Sequence, residues 1–545
     1  MANIVPQEGS TGTRNRMRFI SLCFILIFAL IIWRVGDLAI NPTPSPKLVT
    51  QNTVEPHERK RGKIVDRNGE LLAISVRNAG LAADTKQIHD AEYLAARLGG
   101  ILPQVPYERL LAKLSSGRRF AWLARDISPA RQQEILELGE PGLQLIKGYK
   151  RLYPLGLLNA HVIGFVSDDN EGLGGLERQY NEELLDENII LELTLDARIQ
   201  HALRNELQIA MENTGAIGAV GIVSRVETGE IFGMISLPDF DPNNQSYTNQ
   251  SAKFNRATLG IYELGSTFKI FNTAMALEHG EIDMGTIFDA TKPLHIGGHA
   301  IRDYRGKNRW LDVAEAFIYS SNISHARMAD QVGGEHQKEF LQSLGMLKKV
   351  GIDYPEKAKP LWPSVWRRVN TMTIAYGHGL SVTPLHLVAG VSAIVNDGKL
   401  PTPHLLRARH VDGVREALTH DVHDGVISSQ TSEKIRKLLR LNAIKGSGKR
   451  ANISGYLVGG KTGTSEKLID GKYDEDRLLS SFVAAFPINA PQYVVYVMLD
   501  EPKEAPGEDI RPTGGAVAAP VAGRIIARLG PILQIAPLQG KLEAA

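Results

Sequence analysis

The hydrophobic and polar positions divide the chain into one long apolar run near its start and a series of shorter periodic segments. Residues 19–33 are almost wholly apolar and follow three arginines. The run is short for a membrane span, but a further apolar stretch extends it to residue 40. Arginines before an apolar run favour a cytoplasmic N-terminus. The pattern therefore predicts a cytoplasmic tail over residues 1–18 and a single transmembrane anchor over residues 19–40.

A cleaved signal peptide is the alternative interpretation of this apolar run. No Ala-x-Ala cleavage site follows it, which favours an uncleaved anchor. The next most apolar stretch, Leu385 to Val395, is too short to span a membrane and is predicted to be a core helix.

Short periodic patterns follow a polar, proline-rich linker at residues 41–47. Residues 63–76 are predicted to form a β-hairpin that turns at Asn68-Gly69. Helical patterns then occur over residues 90–102, 107–114 and 129–138. This region carries no convergent set of ionisable residues. Residues 41–190 are therefore predicted to form a non-catalytic module of mixed structure, which we call the pedestal.

A second, larger unit is predicted over residues 191–545. Two early strands, residues 217–226 and 231–236, precede a mainly helical region, and two late strands follow at residues 478–486 and 493–499. An early hairpin, central helices and a late meander are typical of an α+β fold whose antiparallel sheet is covered by helices.

Composition and charge argue against several classes of protein. The chain has 62 Lys and Arg against 60 Asp and Glu, so a nucleic-acid partner is not expected. Its only cysteine, Cys23, cannot form a disulfide within the chain. No His-Glu-x-x-His zinc motif occurs. Gly455 to Thr462 matches the phosphate-loop pattern, but turn-like residues follow the threonine where that motif needs a helix, so no nucleotide partner is expected.

A serine and a lysine three positions apart open one predicted helix. The segment that begins at Ser266 is predicted to be helical and to end at Gly280. Positions i and i+3 share a helix face, so Lys269 can reach the Ser266 hydroxyl. A serine needs a base beside it to act as a nucleophile, and a buried lysine with a lowered pKa can supply one. Alone, however, Ser-x-x-Lys is more often a helix cap followed by a surface lysine.

A second motif, Ser320-Ser-Asn322, is predicted to lie in a loop after a helical run. There Ser320 can relay a proton between Lys269 and a leaving amine. Asn322 can hold either the substrate amide or Lys269 itself. In isolation, a polar helix end is the more common role for such residues.

The third motif, Lys461-Thr-Gly-Thr464, is predicted to lie on a strand that is followed by a polar turn. Lys461 and Thr462 can bind a substrate carboxylate. Gly463 leaves the strand edge open to a substrate peptide, and the N–H of Thr464, with that of Ser266, is a candidate oxyanion donor. A glycine-rich turn is the common alternative for this motif alone. The three motifs in this order indicate an acyl-transfer enzyme with a serine nucleophile.

Together the three motifs resemble those of class B penicillin-binding proteins, most closely the division-specific FtsI type. Further segments extend the resemblance over nearly the whole chain: Arg61 to Gly69, Arg151 to Gly156, Gly174 to Glu177 and Tyr376 to Pro384. The sequence departs from the family at Leu264, where proline is usual, and at His378, where tyrosine or glutamine is expected.

The resemblance implies a penicillin-binding transpeptidase fold on a dimerisation-type pedestal, anchored in the inner membrane with its catalytic domain in the periplasm. It implies a peptidoglycan D,D-transpeptidase of the division septum, in which Ser266 attacks the D-Ala-D-Ala bond of a stem peptide and an amine of a neighbouring stem takes the acyl group. The implied partners are β-lactams, an FtsW-type glycan polymerase and other divisome proteins, with no cofactor. A D,D-carboxypeptidase, an elongation-type transpeptidase and a non-catalytic divisome scaffold remain as alternatives.

Overall fold

The computed structural model describes residues 11–40, 59–244, 249–504 and 511–538. The chain divides into two compact units, Met1–Glu55 and Pro56–Ala545. Helix α1 (Thr11–Ile40) lies in the first unit and runs through the predicted anchor. No helix within the described residues is both long and apolar enough to cross a membrane. The predicted linker at residues 41–47 lies outside the described residues.

The predicted hairpin at the start of the second unit is present. Strands β1 (Lys63–Val65) and β2 (Leu71–Ala83) pair in antiparallel fashion, and Gly69 adopts a φ of 85° between them. A tight hairpin turn requires a left-handed φ at this position, which glycine adopts readily. The elements that follow include the three predicted helices: α2 (Ala91–Ile101), α3 (Tyr107–Leu114), β3 (Ala121–Ala124), α4 (Pro129–Leu136), β4 (Leu143–Leu152), α5 (Ala160–Ile163), β5 (Phe165–Val166), β6 (Gly172–Gly174), α6 (Gly175–Gln179), α7 (Asn181–Leu184) and β7 (Ile190–Leu193).

The rest of this unit, from residue 197 onward, contains the two early strands, the central helices and the two late strands that the sequence predicts. Its elements are α8 (Ala197–Thr214), β8 (Gly218–Arg225), β9 (Ile231–Leu237), α9 (Lys269–His279), β10 (Ile287–Asp289), β11 (Leu294–Ile296), β12 (His299–Ile301), β13 (Trp310–Asp312), α10 (Val313–Ile318), α11 (Asn322–Val332), α12 (Gly334–Ser343), α13 (Arg368–Ile374), α14 (Pro384–Val395), β14 (Leu400–Pro401), β15 (Leu406–Val411), β16 (Val414–Ala417), β17 (Val422–His423), α15 (Ser429–Lys445), β18 (Gly459–Ile469), β19 (Lys472–Phe486), β20 (Tyr493–Asp500) and α16 (Ala518–Ile532).

The pedestal sheet is mixed, and it recruits strands from far along the chain. Its order is β16-β15-β7-β1-β2-β3, with β4 also paired to β2. Strands β1 and β7 are parallel, whereas β15 pairs with β7 in antiparallel fashion. Because β15 and β16 come from residues 406–417, the sheet joins the pedestal to the later part of the chain.

A buried ion pair brings together three segments that carry the family resemblance. Glu177 lies between Arg61 and Arg151, and all three side chains are fully buried. Its two carboxylate oxygens accept from the Nε of Arg151 at 2.6 Å and the Nε of Arg61 at 3.1 Å. Removal of one member of such a network leaves uncompensated buried charge, so the network holds the segments in one arrangement.

The second sheet is fully antiparallel and lies between two layers of helices. Its order is β18-β19-β20-β8-β9. On the central strand β20, Val495 and Val497 face the core that α8 and α16 cover, while the alternate residues Val494 and Tyr496 face the core that contains α9 and α14. This period-two alternation, with both faces buried, explains why β20 is apolar throughout.

The predicted turn after Thr464 and the predicted core helix near residues 385–395 have different outcomes. The predicted polar turn after Thr464 is wrong, because β18 continues to Ile469 and pairs with β19 along its whole length before the chain turns at Asp470-Gly471. This continuation also puts a strand where a phosphate-loop motif requires a helix. The predicted core helix near residues 385–395 is confirmed, since every residue of α14 is buried.

Candidate active site

The Ser266 segment begins as a tight turn against strand β18. Residues Gly265–Phe268 form one 3₁₀ turn that continues into α9, and Gly280 ends the helix with a φ of 89°. Gly265 has a φ of 56°, and a Cβ built there would lie 2.6 Å from the carbonyl oxygen of Thr464. A side chain at this position is excluded by both backbone conformation and space. Gly265 therefore permits the close approach of the serine turn to the strand that carries Lys461.

Lys269 is fully buried and surrounded by oxygen atoms. Its Nζ lies 3.0 Å from the Oγ of Ser266, 2.6 Å from the carbonyl oxygen of Ser320 and 2.7 Å from the Oδ1 of Asn322. Burial, together with the nearby charge of Lys461, holds the pKa of Lys269 well below its ordinary value. A neutral amine at this position is therefore favoured.

Ser320 bridges the two lysines from a strained position. It lies between α10 and α11 with a φ of 59°, a conformation that non-glycine residues seldom adopt. Its Oγ is 3.0 Å from the Nζ of Lys269 and 2.9 Å from the Nζ of Lys461. Left-handed backbone at a non-glycine residue persists only where its surroundings enforce it, and such residues cluster at functional sites.

Asp303 and Arg302 hold this motif, and the sequence patterns did not single out either residue. The carboxylate of Asp303 accepts from the hydroxyl of Ser321 at 2.8 Å and from the N–H of Ile323 at 3.0 Å. The amide of Asn322 donates to the carbonyl oxygen of Arg302 at 2.9 Å, which leaves its own oxygen facing Lys269. These contacts come from a loop about 20 residues upstream, at no fixed spacing that a sequence pattern could reveal.

Lys461 is fully buried on the edge strand β18, and burial lowers its pKa to about 7. Its Nζ also lies 5.8 Å from the ring centre of Phe317. Within the described residues, no carboxylate forms an ion pair with Lys269 or Lys461. A substrate carboxylate would supply the opposite charge that this site lacks.

The other residues of the last motif pack against the serine turn and the neighbouring loops. The Oγ1 of Thr462 lies 2.6 Å from the Oγ of Ser447, and the Oγ1 of Thr464 accepts from the N–H of Gly514 at 2.9 Å. A Cβ at Gly463 would lie 2.4 Å from the Oγ of Ser481 and 2.7 Å from the carbonyl oxygen of Leu264. The glycine is thus required for close packing inside the protein. Access of a substrate to the strand edge stays a prediction.

The structure brings the five residues predicted to be catalytic into one connected cluster, with the three predicted binding residues on the adjoining strand. The arrangement can activate a serine hydroxyl with a neutral amine and offers two oxyanion-donor candidates near the turn. No group of His, Cys, Asp or Glu in the described residues could hold a metal ion.

Comparison with known proteins agrees with this geometry. The family described as "Penicillin binding protein transpeptidase domain" matches residues 219–527, and that described as "Penicillin-binding Protein dimerisation domain" matches residues 56–208. The probable peptidoglycan D,D-transpeptidase FtsI of Caulobacter vibrioides is 38% identical, over 88% of this chain and 82% of that protein. The chain belongs to the FtsI-type class B penicillin-binding proteins.

Other relatives of this FtsI-type protein are more distant but cover most of the chain. Stage V sporulation protein D of Bacillus subtilis is 30% identical over 97% of this chain and 88% of its own length. The peptidoglycan D,D-transpeptidase FtsI of Escherichia coli K12 is 27% identical over 94% and 91%, respectively. A solved peptidoglycan synthetase from Bifidobacterium adolescentis has the same fold, with a TM-score of 0.71, 21% identity, and coverage of 89% of this chain and 98% of that one.

In this FtsI-type protein the side chain of His378 lies beside the cluster. The His378 ring stacks on Tyr473 of the β18–β19 hairpin at 5.3 Å between ring centres. Glu263 accepts from the hydroxyl of Tyr473 at 3.0 Å and from the N–H of Gly379 at 2.8 Å. Burial and the nearby Lys269 lower the pKa of His378 to about 4, so this ring is neutral at physiological pH. His378 therefore presents an uncharged ring beside the cluster.

Proposed function

We propose that this chain is a peptidoglycan D,D-transpeptidase that cross-links stem peptides at the division septum and is acylated by β-lactams. The observation that carries the proposal is the contact between the Ser266 hydroxyl and a fully buried lysine amine at 3.0 Å. A serine beside a neutral lysine can attack an amide or lactam carbonyl without a histidine.

The hydrogen bonds around Lys269 support its role as the base. A neutral amine has two N–H donors and one lone pair. The carbonyl oxygen of Ser320 and the Oδ1 of Asn322 can accept the two N–H bonds, since they lie at the shortest distances. The lone pair then accepts the proton of Ser266 as its oxygen attacks the carbonyl carbon of the penultimate D-Ala.

We assign the other residues of the three motifs their catalytic or binding roles from their positions in the site. Ser320, in contact with both lysines, relays a proton to the departing D-Ala amine. Lys461 and Thr462 bind the terminal carboxylate of the stem peptide, and Gly463 lies where the peptide backbone pairs with β18. The N–H groups of Ser266 and Thr464 stabilise the oxyanion. An amine from a second stem then displaces Ser266 and forms the cross-link.

Intact-mass analysis after incubation with a labelled penicillin tests this assignment. We expect one adduct per chain on wild-type protein and none on Ser266→Ala. The matched control is Ser343→Ala, an exposed serine on α12, which should label like wild type. An adduct that maps to another residue would overturn the choice of nucleophile. Product analysis with and without an acceptor amine separates cross-linking from D,D-carboxypeptidase activity, in which water replaces the amine.

We also propose that residues 19–40 anchor the protein in the inner membrane, with the pedestal (41–190) and the transpeptidase domain (191–545) in the periplasm. The large apolar side chains of residues 19–33 are exposed all round the helix, which supports a lipid environment. An FtsW-type glycan polymerase and other divisome proteins are the proposed partners. Extraction of membranes with alkaline carbonate tests the anchor: the full chain should stay in the pellet, and release into the supernatant would contradict it.

A further inference from the structure

A strongly basic loop lies beside the Ser320 side of the cluster. Residues 302–310, which we call the basic loop, run from the end of β12 to the first residue of β13. The loop contains one carboxylate, Asp303, and four cationic side chains: Arg302, Arg305, Lys307 and Arg309. Except for Asp303, every residue of the basic loop is exposed. The loop therefore presents positive charge to solvent.

Exposed aromatic rings accompany these cations. Tyr304, Trp310 and the neighbouring Tyr319 are 61%, 54% and 42% exposed. The Arg305 guanidinium lies 5.5 Å from the ring centre of Tyr304, and the Nζ of Lys307 lies 4.7 Å from that of Tyr319. Tyrosine, tryptophan and arginine are the residue types enriched at the binding hot spots of recognition surfaces.

Most of the positive charge on the basic loop is not neutralised by the part of the chain that the structure describes. Arg309 pairs with Glu315 at 2.5 Å, and Asp303 is already bonded to Ser321 and Ile323. Within the described residues, no carboxylate lies at ion-pair distance from Arg302, Arg305 or Lys307. Unneutralised cations around a cleft attract an anionic ligand and raise its local concentration.

The basic loop is also fixed to the catalytic cluster through its backbone. The carbonyl oxygen of Arg302 accepts from the Asn322 amide at 2.9 Å. Tyr319, over which Lys307 lies, directly precedes Ser320. A substrate that reacts at Ser266 and extends past the Ser320 wall would therefore meet the basic loop.

We propose that the basic loop is a binding site for the acidic glycopeptide of a substrate strand. Arg305 and Lys307 bind free carboxylates of the stem peptide, and Tyr304 and Trp310 stack against the apolar face of an amino-sugar ring. Guanidinium groups suit carboxylates because their donors match both oxygens. The proposal rests on the proposed function and adds a subsite for the part of the polymer that does not react.

Binding to intact peptidoglycan sacculi tests the proposal without any chemical step. Full-length protein with Ser266→Ala is sedimented with sacculi at several salt concentrations, with and without the pair Arg305→Ala and Lys307→Ala. The matched control is Arg97→Ala with Arg119→Ala, two exposed arginines of the pedestal that form no ion pair with the described residues. We expect the loop pair to weaken binding by roughly tenfold and to flatten its salt dependence, and the control pair to leave both unchanged.

Two further measurements separate this proposal from the proposed function. With Ser266 intact, the loop pair should slow cross-linking of polymeric substrate about tenfold, while acylation by a small labelled penicillin stays within about twofold of wild type. Sacculi whose stem carboxylates have been amidated should lose the difference between the loop pair and the control pair. Unchanged binding by the loop pair, or an equal loss in the control pair, would overturn the basic-loop proposal. Absence of penicillin acylation in wild-type protein would overturn the proposed function, yet the binding comparison would still decide the role of the loop.

Discussion

Replacement of Lys269 by arginine gives this position a permanent positive charge and removes its ability to act as a base. In the structure the Lys269 amine is fully buried, lies 3.0 Å from the Ser266 hydroxyl and has a pKa well below its ordinary value. A guanidinium does not deprotonate in the physiological range, so it cannot accept the serine proton. The variant also places a permanent charge close to Lys461, with no carboxylate from the described residues paired to either group.

The expected loss follows from the contribution of a positioned base. Removal of general-base catalysis costs roughly 10²- to 10⁴-fold in rate, which corresponds to about 3–5 kcal/mol in the barrier to acylation. We therefore expect Lys269→Arg to be acylated at least 100-fold more slowly than wild type, roughly as slowly as Lys269→Ala.

The assay is the second-order rate of acylation by a labelled penicillin, measured between about pH 6 and pH 9. Lys338→Arg, an exposed position on α12, is the matched control and should react at the wild-type rate. Circular dichroism of each variant establishes that it is folded. Acylation of Lys269→Arg within a few-fold of wild type would refute the role of Lys269 as a base and would leave it only the role of a charge.

Further predictions concern Lys461, Gly463 and the pedestal. The pKa of Lys461 is about 7, and a protonated amine is needed to bind a carboxylate, so kcat/KM for a carboxylate substrate should fall as pH rises through about 7. Lys461→Arg should abolish that fall, and a wild-type profile that is flat to about pH 9 would contradict the prediction. The unfolded chain keeps the Lys461 proton to higher pH than the folded chain, so the free energy of unfolding should rise with pH from about 7 towards 10. Denaturant titrations of Lys461→Met should show a smaller rise. Gly463→Ala should lower stability by about 1–3 kcal/mol and slow acylation, because the added Cβ collides with the carbonyl oxygen of Leu264. Gly99→Ala on α2, where a Cβ meets open space, should keep or raise the melting temperature, because alanine favours a helix over glycine. Glu177→Gln should lower the free energy of unfolding by about 3–5 kcal/mol, because Arg61 and Arg151 keep their charges without a counter-charge. Its folded fraction should still acylate at the wild-type rate, and a selective loss of acylation would give the pedestal a catalytic role.

Local patterns in the sequence were enough to predict many individual elements. The hairpin at Asn68-Gly69, the helix Tyr107–Leu114 and the late strand at residues 493–499 were predicted close to their observed bounds. The strand predicted over residues 478–486 ends as predicted but begins earlier, at Lys472. Each depends on interactions between near neighbours: a turn glycine, a helical apolar period, or the alternation along a strand. The sequence also predicted the chemical class of the site, because the three motifs in this order indicate an acyl-transfer enzyme with a serine nucleophile.

Long-range contacts decided the rest. The contact of Ser320 with Lys269 joins residues 51 apart, and its contact with Lys461 joins residues 141 apart. The left-handed backbone of Ser320 has no local signal in its sequence. The extension of β18 past Thr464 was missed because its polar residues look like a turn until β19 supplies their pairing partners. The prediction that Gly463 leaves the strand edge open for a substrate stays a prediction. The structure adds a second need for glycine there, because a Cβ would collide with Leu264, a neighbour that only the fold brings near. Burial of Lys269 and Lys461, and therefore the lowered pKa that makes an amine act as a base, exists only after the helices and the sheet have excluded water from the site.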